Sequence, residues 1–409
     1  MGDRPNINLL DNDAFATDEP DTWFRWLRAN APVYWHDEPD APGFWVVTKH
    51  ADVVEVNRNA QVFSSDQKYG GVIPFEEEKL AITNQFAGAI PLMLTMDDPD
   101  HARHRKLVNR GFTPRAVGRV EERLKVIAKE LVDDALSQGT CDWVETVAAW
   151  LPITAITELV GVPAEKRRKV FEWANAATGA TDPEFGGDLS GMIGTMMEVF
   201  AYSAELQEER RARPAEDIIS TLLQADVDGE ELTELEITMF FVLMLNAGSE
   251  TTRNAISHSM VVMMEQPDVY RELAEDRSLV PSAIEEMLRW GTPVPYMRRT
   301  PIVDTEIRGQ AIKAGDKVTI WYASANRDEE VFADPYRFDI RRNPNPHTTF
   351  GAGGAHFCVG ANLARMEMRV LFDEILDRVQ EFKPAGPPPR LRANIVSGIK
   401  HLPVELVPV

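Results

Sequence analysis

The chemistry of this chain turns on one thiol. Cys358 closes the run Phe350-Gly351-Ala352-Gly353-Gly354-Ala355-His356-Phe357-Cys358-Val359-Gly360. Three glycines in the eight residues before the cysteine let the backbone approach something flat and bulky. An apolar helical pattern starts at Val359, so the sulfur stands at a helix N-terminus. There the dipole and the free N–H groups stabilise a thiolate, and the same N–H groups can donate to a sulfur that ligates a metal. A lone cysteine in a helical protein is ordinarily a small buried core residue; the glycine pattern argues otherwise here.

Three further clusters carry polar chemistry. Asn246-Ala247-Gly248-Ser249-Glu250-Thr251-Thr252 interrupts a long apolar helical pattern. Glycine is a poor helix former and Ser and Thr compete for backbone carbonyls, so the helix weakens there and a groove can open. In Asp98-Pro-Asp-His101-Ala-Arg-His-Arg105, His101 and Arg105 lie i, i+4 on one helix face, separated by roughly 40°. Arg103, Lys106 and Arg110 fall roughly 140–200° round from His101. Glu286 and Arg289 stand i, i+3, a spacing that on a surface contributes only a few tenths of a kcal/mol.

The elements that must position these residues are mostly helices. Apolar spacing predicts them over Arg115–Gln138, Pro163–Thr178, Leu189–Ala212, Thr233–Glu265 and Val359–Val379, with a shorter one near 281–290. The longest opens with Thr233 as N-cap and Glu236 three residues later. Strand signals cluster at Val33–His36 and Phe44–Thr48, at Arg298–Thr300, Thr305–Ile307 and Val318–Trp321, and at Ile395–Val396 and Leu402–Val407. With no repeat, low-complexity run or dividing linker, the chain reads as one large, mainly α domain over 1–409 with β-rich segments near 33–48, 295–321 and 391–407.

Composition sets the outer limits. The 409 residues include 43 Lys and Arg against 65 Asp and Glu, a formal net charge of −22, which argues against nucleic acid or an anionic membrane as the main partner. Two cysteines, Cys141 and Cys358, are no disulfide scaffold and suggest a cytoplasmic protein. The uncharged stretch Ile237–Ser249 is too short for the ~20 residues of a spanning helix. No HExxH or zinc-type cysteine spacing is present. Cys141 has no evident role.

The Phe-Gly-x-Gly-x-x-x-x-Cys-x-Gly run resembles the haem-binding loop of the cytochrome P450 family, with Ala355 as one extra residue. The other clusters match the family in order. The stretch 246–252 resembles its oxygen-activation motif, and Glu286-x-x-Arg289 followed by Asp334-Pro-Tyr-Arg337-Phe338 resembles its Glu–Arg–Arg cluster. The resemblance implies haem b with Cys358 as axial ligand and dioxygen as co-substrate. It implies that Thr251 steadies activated dioxygen and Glu250 relays protons. Ala247, Gly248, Phe350, Gly351 and Gly360 would contact the cofactor, while His101, Arg105, Arg299 and His356 would hold its propionates. Arg298 would point the other way along a strand. Arg337 would complete a buried structural cluster with Glu286 and Arg289.

The same resemblance implies a monooxygenase that takes electrons from a separate ferredoxin and its reductase, since no GxGxxG follows a strand. Arg103, Lys106 and Arg110, extended by Arg365 and Arg369, would form a basic patch for an acidic donor. Several stretches, Tyr296–Thr300 and Asn343–Arg365 among them, resemble actinobacterial members that hydroxylate terminal methyls of sterol side chains and methyl-branched lipids. The pocket positions implied are Leu94, Leu243, Asn246, Val294, Ile395 and Val396, mostly apolar. A terpenoid or other small hydrophobic substrate is the alternative. A haem-thiolate peroxygenase or isomerase, or a non-catalytic haem sensor, would have no need of the Glu250-Thr251 pair.

Overall fold

A computed structural model of the chain describes residues 4–39, 41–73, 92–112, 114–178, 182–185, 189–227 and 230–409. The helices that position the site are α1 (Glu19–Asn30), α2 (His50–Arg58), α3 (Asp100–Gly111), α4 (Pro114–Gln138), α5 (Trp150–Val160), α6 (Arg167–Thr178), α7 (Leu189–Ala212), α8 (Glu234–Glu265), α9 (Val280–Gly291) and α10 (Ala361–Arg378). The expected long helix is α8. Thr233 Oγ1 accepts from the Glu236 N–H, and the Glu236 carboxylate accepts from the Thr233 N–H at 2.7 Å, a complete capping box. Such a cap contributes about 1 kcal/mol. At 32 residues α8 spans about 48 Å. It packs on α5, α6, α7 and α9; most of its side chains are buried, and many of the apolar ones join the largest core cluster.

The strands that frame the site are β1 (Val33–Glu38), β2 (Ala41–Val47), β3 (Phe63–Ser64), β4 (Thr140–Asp142), β5 (Tyr296–Pro301), β6 (Thr305–Ile307), β7 (Gln310–Ile312), β8 (Val318–Trp321), β9 (Val379–Pro384) and β10 (Pro403–Pro408). One sheet runs β1-β2-β8-β5-β3, parallel between β2 and β8 and antiparallel elsewhere. Its β8–β5 register sets Val318 opposite Arg299 and Thr319 opposite Arg298. A second sheet runs β9-β10-β4.

Three expectations need correction. The last long helix stops at Arg378, and Val379 opens β9, because pairing with β10 captures a segment too short to declare itself by alternation. Ile395 and Val396 lie in no strand; Ile395 packs instead against an N-terminal apolar cluster that includes Leu9, Phe24 and Trp321. Cys141 gains a place: it lies in β4 opposite Val404, buried in the main core, where burial pushes its thiol up.

Candidate active site

Cys358 is set at the mouth of α10 by a loop that only glycines can trace. Gly351, Gly353 and Gly354 have φ of 75°, 90° and 84°, the left-handed region that L side chains avoid. Gly354 is doubly constrained, since a Cβ there would stand 2.7 Å from the Asn57 carbonyl at the end of α2. The glycines therefore seat the loop on α2 as well as shaping its turns. Asn57 Nδ2 donates to the Gly353 carbonyl at 2.7 Å and Arg58 Nε to that of Ala352 at 3.0 Å. The Cys358 N–H donates to the Phe350 carbonyl at 3.0 Å, closing the loop on itself.

The sulfur lies open to an internal cavity rather than to bulk solvent. Burial pushes the Cys358 thiol up, while the Gly360 and Ala361 N–H groups and the Arg105 and Arg365 guanidiniums pull against it. The helix N-terminus thus donates to the sulfur as expected. Desolvation outweighs it, so the expected lowering is reversed in this structure.

The cavity has a volume of about 240 Å³ and is bounded by α8 on one side and the cysteine loop and α10 on the other. Its polar wall is made by His101, Arg105, Arg299 and His356. The His101 and His356 rings lie with centroids 4.1 Å apart. Burial lowers both imidazoles, and that of His356 falls to about 3 with Arg299, His101 and Arg105 adding to the effect, so both rings are neutral. Arg299 is buried and donates to Asn57 Oδ1 at 2.9 Å and to the Arg298 carbonyl at 2.7 Å. Among the described residues neither Arg105 nor Arg299 is paired with a carboxylate, and burial lowers both guanidiniums. Arg298 turns away, donating to the Tyr69 carbonyl and Thr300 Oγ1. Asn57 is the residue that sequence reasoning missed: it joins Arg299, the cysteine loop and the Tyr322 hydroxyl, and nothing in the spacing of a lone Asn signals that.

Across the cavity, α8 presents Leu243, Met244, Ala247, Gly248, Thr251, Thr252 and Ala255. A Cβ on Gly248 would stand 2.9 Å from Ile156, so this glycine also lets α8 approach α5 closely. The predicted competition for carbonyls is present. Thr251 Oγ1 donates to the Ala247 carbonyl at 2.7 Å, and Ser249 Oγ donates to that of Leu245. Glu250 does not line the cavity. It is buried behind the helix and ion-paired with Arg253, whose Nη1 donates to Asn175 Oδ1 on α6 at 2.6 Å.

Of the other expected residues, Leu94, Val294, Phe350, Gly351 and Gly360 also line the cavity. Among the described residues its wall does not include Asn246, Ile395 or Val396; Asn246 lies one residue before the cavity-facing Ala247, and the irregular 395–396 segment packs elsewhere. Arg337 is a clear correction. Its side chain is exposed and only its carbonyl is drawn in, accepting from Arg289 Nη2 at 3.3 Å and Arg342 Nη2 at 3.1 Å. Arg342 supplies the third charged group, Nε to Glu286 Oε2 at 3.1 Å. The chain turns at Asp334–Arg337 and delivers the later arginine inward. In the basic stripe, Arg103 leans on Glu236 at 3.5 Å, Lys106 is exposed, and the Arg110 side chain lies outside the described residues. Arg365 and Arg369 are paired with Glu285 and Glu121.

A cysteine open to a cavity, with cations on one wall and a weakened helix facing it, defines the haem-thiolate class. The cytochrome P450 family model matches residues 189–403. A steroid C26-monooxygenase of Mycolicibacterium smegmatis is 43% identical over 93% of this chain and 88% of its own length. A methyl-branched lipid omega-hydroxylase of Mycobacterium bovis is 40% identical over 97% of this chain and 94% of its own. A Mycobacterium marinum cytochrome P450 solved in complex with pseudoionone superposes with a TM-score of 0.90, 38% identical over 99% of each chain. The chain belongs to the cytochrome P450 family.

It is therefore a monooxygenase whose cofactor is haem b and whose co-substrate is dioxygen. The residues present fit that group. Two guanidiniums that, among the described residues, have no carboxylate partner, Arg299 buried and Arg105 half-buried, stand beside two neutral imidazoles and suit its two propionates. Cys358, with two N–H donors on its sulfur, suits the axial position.

Proposed function

We propose that this enzyme hydroxylates a terminal methyl of a sterol side chain or of a methyl-branched lipid. The observation that carries the reading is the cavity itself, in which Cys358 and Thr251 share one apolar space walled by Met93, Leu94, Leu243, Val294 and Ile156. Those five side chains offer no hydrogen bond to a polar substrate body and suit a hydrocarbon chain end. The two relatives of about 40% identity named above act on such compounds by their names and support the same class.

When bound, the haem supplies oxygen activation, and the thiolate of Cys358 pushes electron density toward O–O cleavage. The chain does the rest. Gly360 and Ala361 N–H groups hold the sulfur. Arg105, Arg299, His101 and His356 hold and orient the propionates. Ala247, Gly248, Phe350, Gly351 and Gly360 pack on the cofactor. The Thr251 hydroxyl, tethered to Ala247, receives and passes a proton, and Glu250 feeds it after letting go of Arg253. Glu286, Arg289 and Arg342 hold the scaffold beneath the cysteine loop.

The enzyme takes its electrons from a redox partner, and we propose a separate ferredoxin and reductase docking near Lys106, with Arg103 and Arg110, in the cytoplasm. No helix among the described residues is long and apolar enough to cross a membrane. We propose that residues 1–409 work as one haem-binding unit.

The test is a panel of sterols, methyl-branched fatty alcohols and terpenoids, read by haem spin-state change and by product position. Terminal hydroxylation of a sterol or branched lipid is expected. A spin-state change confined to terpenoids such as pseudoionone would overturn the substrate class.

A further inference from the structure

The stripe of α8 that faces the cavity, Ala247, Thr251 and Ala255, continues to His258, two turns past Thr251 and roughly 20° round from it. His258 stands just beyond the wall and grips the connector 292–295 between α9 and β5, whose Pro293 and Val294 line the cavity. The grip has two parts. A Cβ on Gly291, the last residue of α9, would stand 3.2 Å from His258 Cβ, so the end of α9 rests on the stem of this side chain. At the ring edge, Nε2 lies 3.1 Å from the Ser397 carbonyl oxygen and 3.0 Å from Ser397 Oγ. The Ser397 N–H in turn donates to the Pro293 carbonyl at 2.9 Å. Pro293 and Pro295 bring no N–H of their own, so their carbonyls carry the ties, that of Pro295 accepting from the Ala323 N–H at 3.0 Å. One turn before His258, the buried Asn254 adds a second tie from α8: its Oδ1 accepts from the Ile399 N–H at 3.3 Å.

We propose that His258 is a positioning residue for specificity, which holds the connector 292–295 to α8 and so fixes how far the Val294 wall stands from Thr251. The same helix carries Thr251 and His258, and the chain of contacts from the ring through Ser397 to Pro293 ends on the residue beside Val294. The ring ties Ser397 in either tautomer: Nε2–H donates to the carbonyl and the hydroxyl, or a bare Nε2 accepts from the hydroxyl. Burial, with the Arg390 and Arg327 guanidiniums, lowers the imidazole to about 4, so the ring is neutral near pH 7 and needs no counter-charge there. An apolar side chain at 258 would leave the Ser397 N–H on Pro293 but release both from α8. A displacement of about 1 Å between a bound chain and the reacting centre costs up to about 100-fold in rate. A wall loosened by that much no longer sets the choice between a terminal methyl and the carbon next to it.

The inference rests on the hydroxylase reading above, and its first test needs no lipid. The haem-loaded enzyme is titrated with imidazole and with 4-phenylimidazole, which bind iron through the same ring nitrogen but differ in how far they fill the cavity. His258→Leu should bind imidazole as wild type does and 4-phenylimidazole about five-fold tighter, because the wall gives way to the phenyl group. His258→Gln, whose amide can still hydrogen-bond Ser397, should restore the wild-type ratio. Asn254→Ala, which cuts the second tie and leaves the ring in place, should shift the ratio the same way by about two-fold. On the lipid panel, His258→Leu should lower the ratio of terminal to adjacent-carbon hydroxylation about ten-fold. An unchanged azole ratio in His258→Leu, or in Asn254→Ala should the first variant not fold, would overturn the proposal, as would a His258→Gln enzyme that behaves as His258→Leu does. Failure of wild type to hydroxylate a terminal methyl in the lipid panel would overturn the substrate class and leave the azole comparison standing.

Discussion

Two Glu-x-x-Arg pairs in this chain share a spacing and a buried setting, yet they are built for different purposes. Glu286 and Arg289 on α9 are both fully buried and fully saturated. The pair is bidentate at 2.7 Å, and Arg342 Nε, Asn345 Nδ2 and the Asp339 N–H complete the carboxylate. Arg289 also donates to the Asn326 and Pro335 carbonyls. Every polar atom holds a loop in place, and none has reason to move. Glu250 and Arg253 on α8 are 3% and 6% exposed at their side chains, but Arg253 Nε has no hydrogen-bond partner. Arg253 Nη1 anchors the pair to Asn175 on α6. A saturated pair is a fastening; a pair whose arginine leaves one N–H unused, one helical position from a cavity-facing threonine, can change partners, which is what proton delivery asks of it.

That contrast can be broken at either end. Glu286→Ala should cost about 3–5 kcal/mol, because it leaves two guanidiniums buried and unpaired. Denaturant unfolding should show it, together with loss of haem on purification. Glu250→Gln should cost less, about 1–3 kcal/mol, since the amide oxygen still accepts from Arg253. Its main effect belongs to turnover, about a hundred-fold slower product formation at unchanged substrate affinity. Equal stability losses at the two sites would erase the distinction.

The third arginine sharpens the same point. Arg342→Leu should destabilise by about 2 kcal/mol, whereas Arg337→Leu should stay within about 0.5 kcal/mol. Parallel thermal melts of the two variants decide which arginine belongs to the cluster. The smallest effect is expected next door. Burial alone would raise Glu285, but its hydrogen bonds to Arg365 and His347 outweigh that and hold it down to about 2. Its contribution to stability is therefore full above its ordinary 4.5 and lost as pH falls toward 2. Glu285→Gln should lower stability slightly at neutral pH, where that contribution is missing, and match wild type near pH 2, so that the acid limb of its melting profile flattens over that window.

Much of the site was legible because its requirements are local. The loop before Cys358 needs positive φ at three places, and only glycine meets that without strain, so the need is written in residue type. His101 and Arg105 share a face because a helix puts i and i+4 there. Arg299 and Arg298 part company because a strand alternates. What escaped is carried by contacts between distant segments. Asn57 is a single residue with no spacing to betray it, 301 positions from Cys358, and it matters only through what other elements bring to it.

The sequence by itself determined the capped long helix, the cysteine loop and the direction in which most wall residues point, since each follows from backbone geometry over a few residues, and the resemblance of its motifs to a known family implied the class of cofactor. Only the tertiary structure decided that Arg342 rather than Arg337 meets Glu286, that Ile395 packs on the N-terminal cluster, and that Glu250 is clasped behind its helix while Thr251 faces the cavity. The reason is physical: hydrogen-bond saturation and desolvation depend on which surfaces meet across the fold, and spacing along one segment carries no record of that.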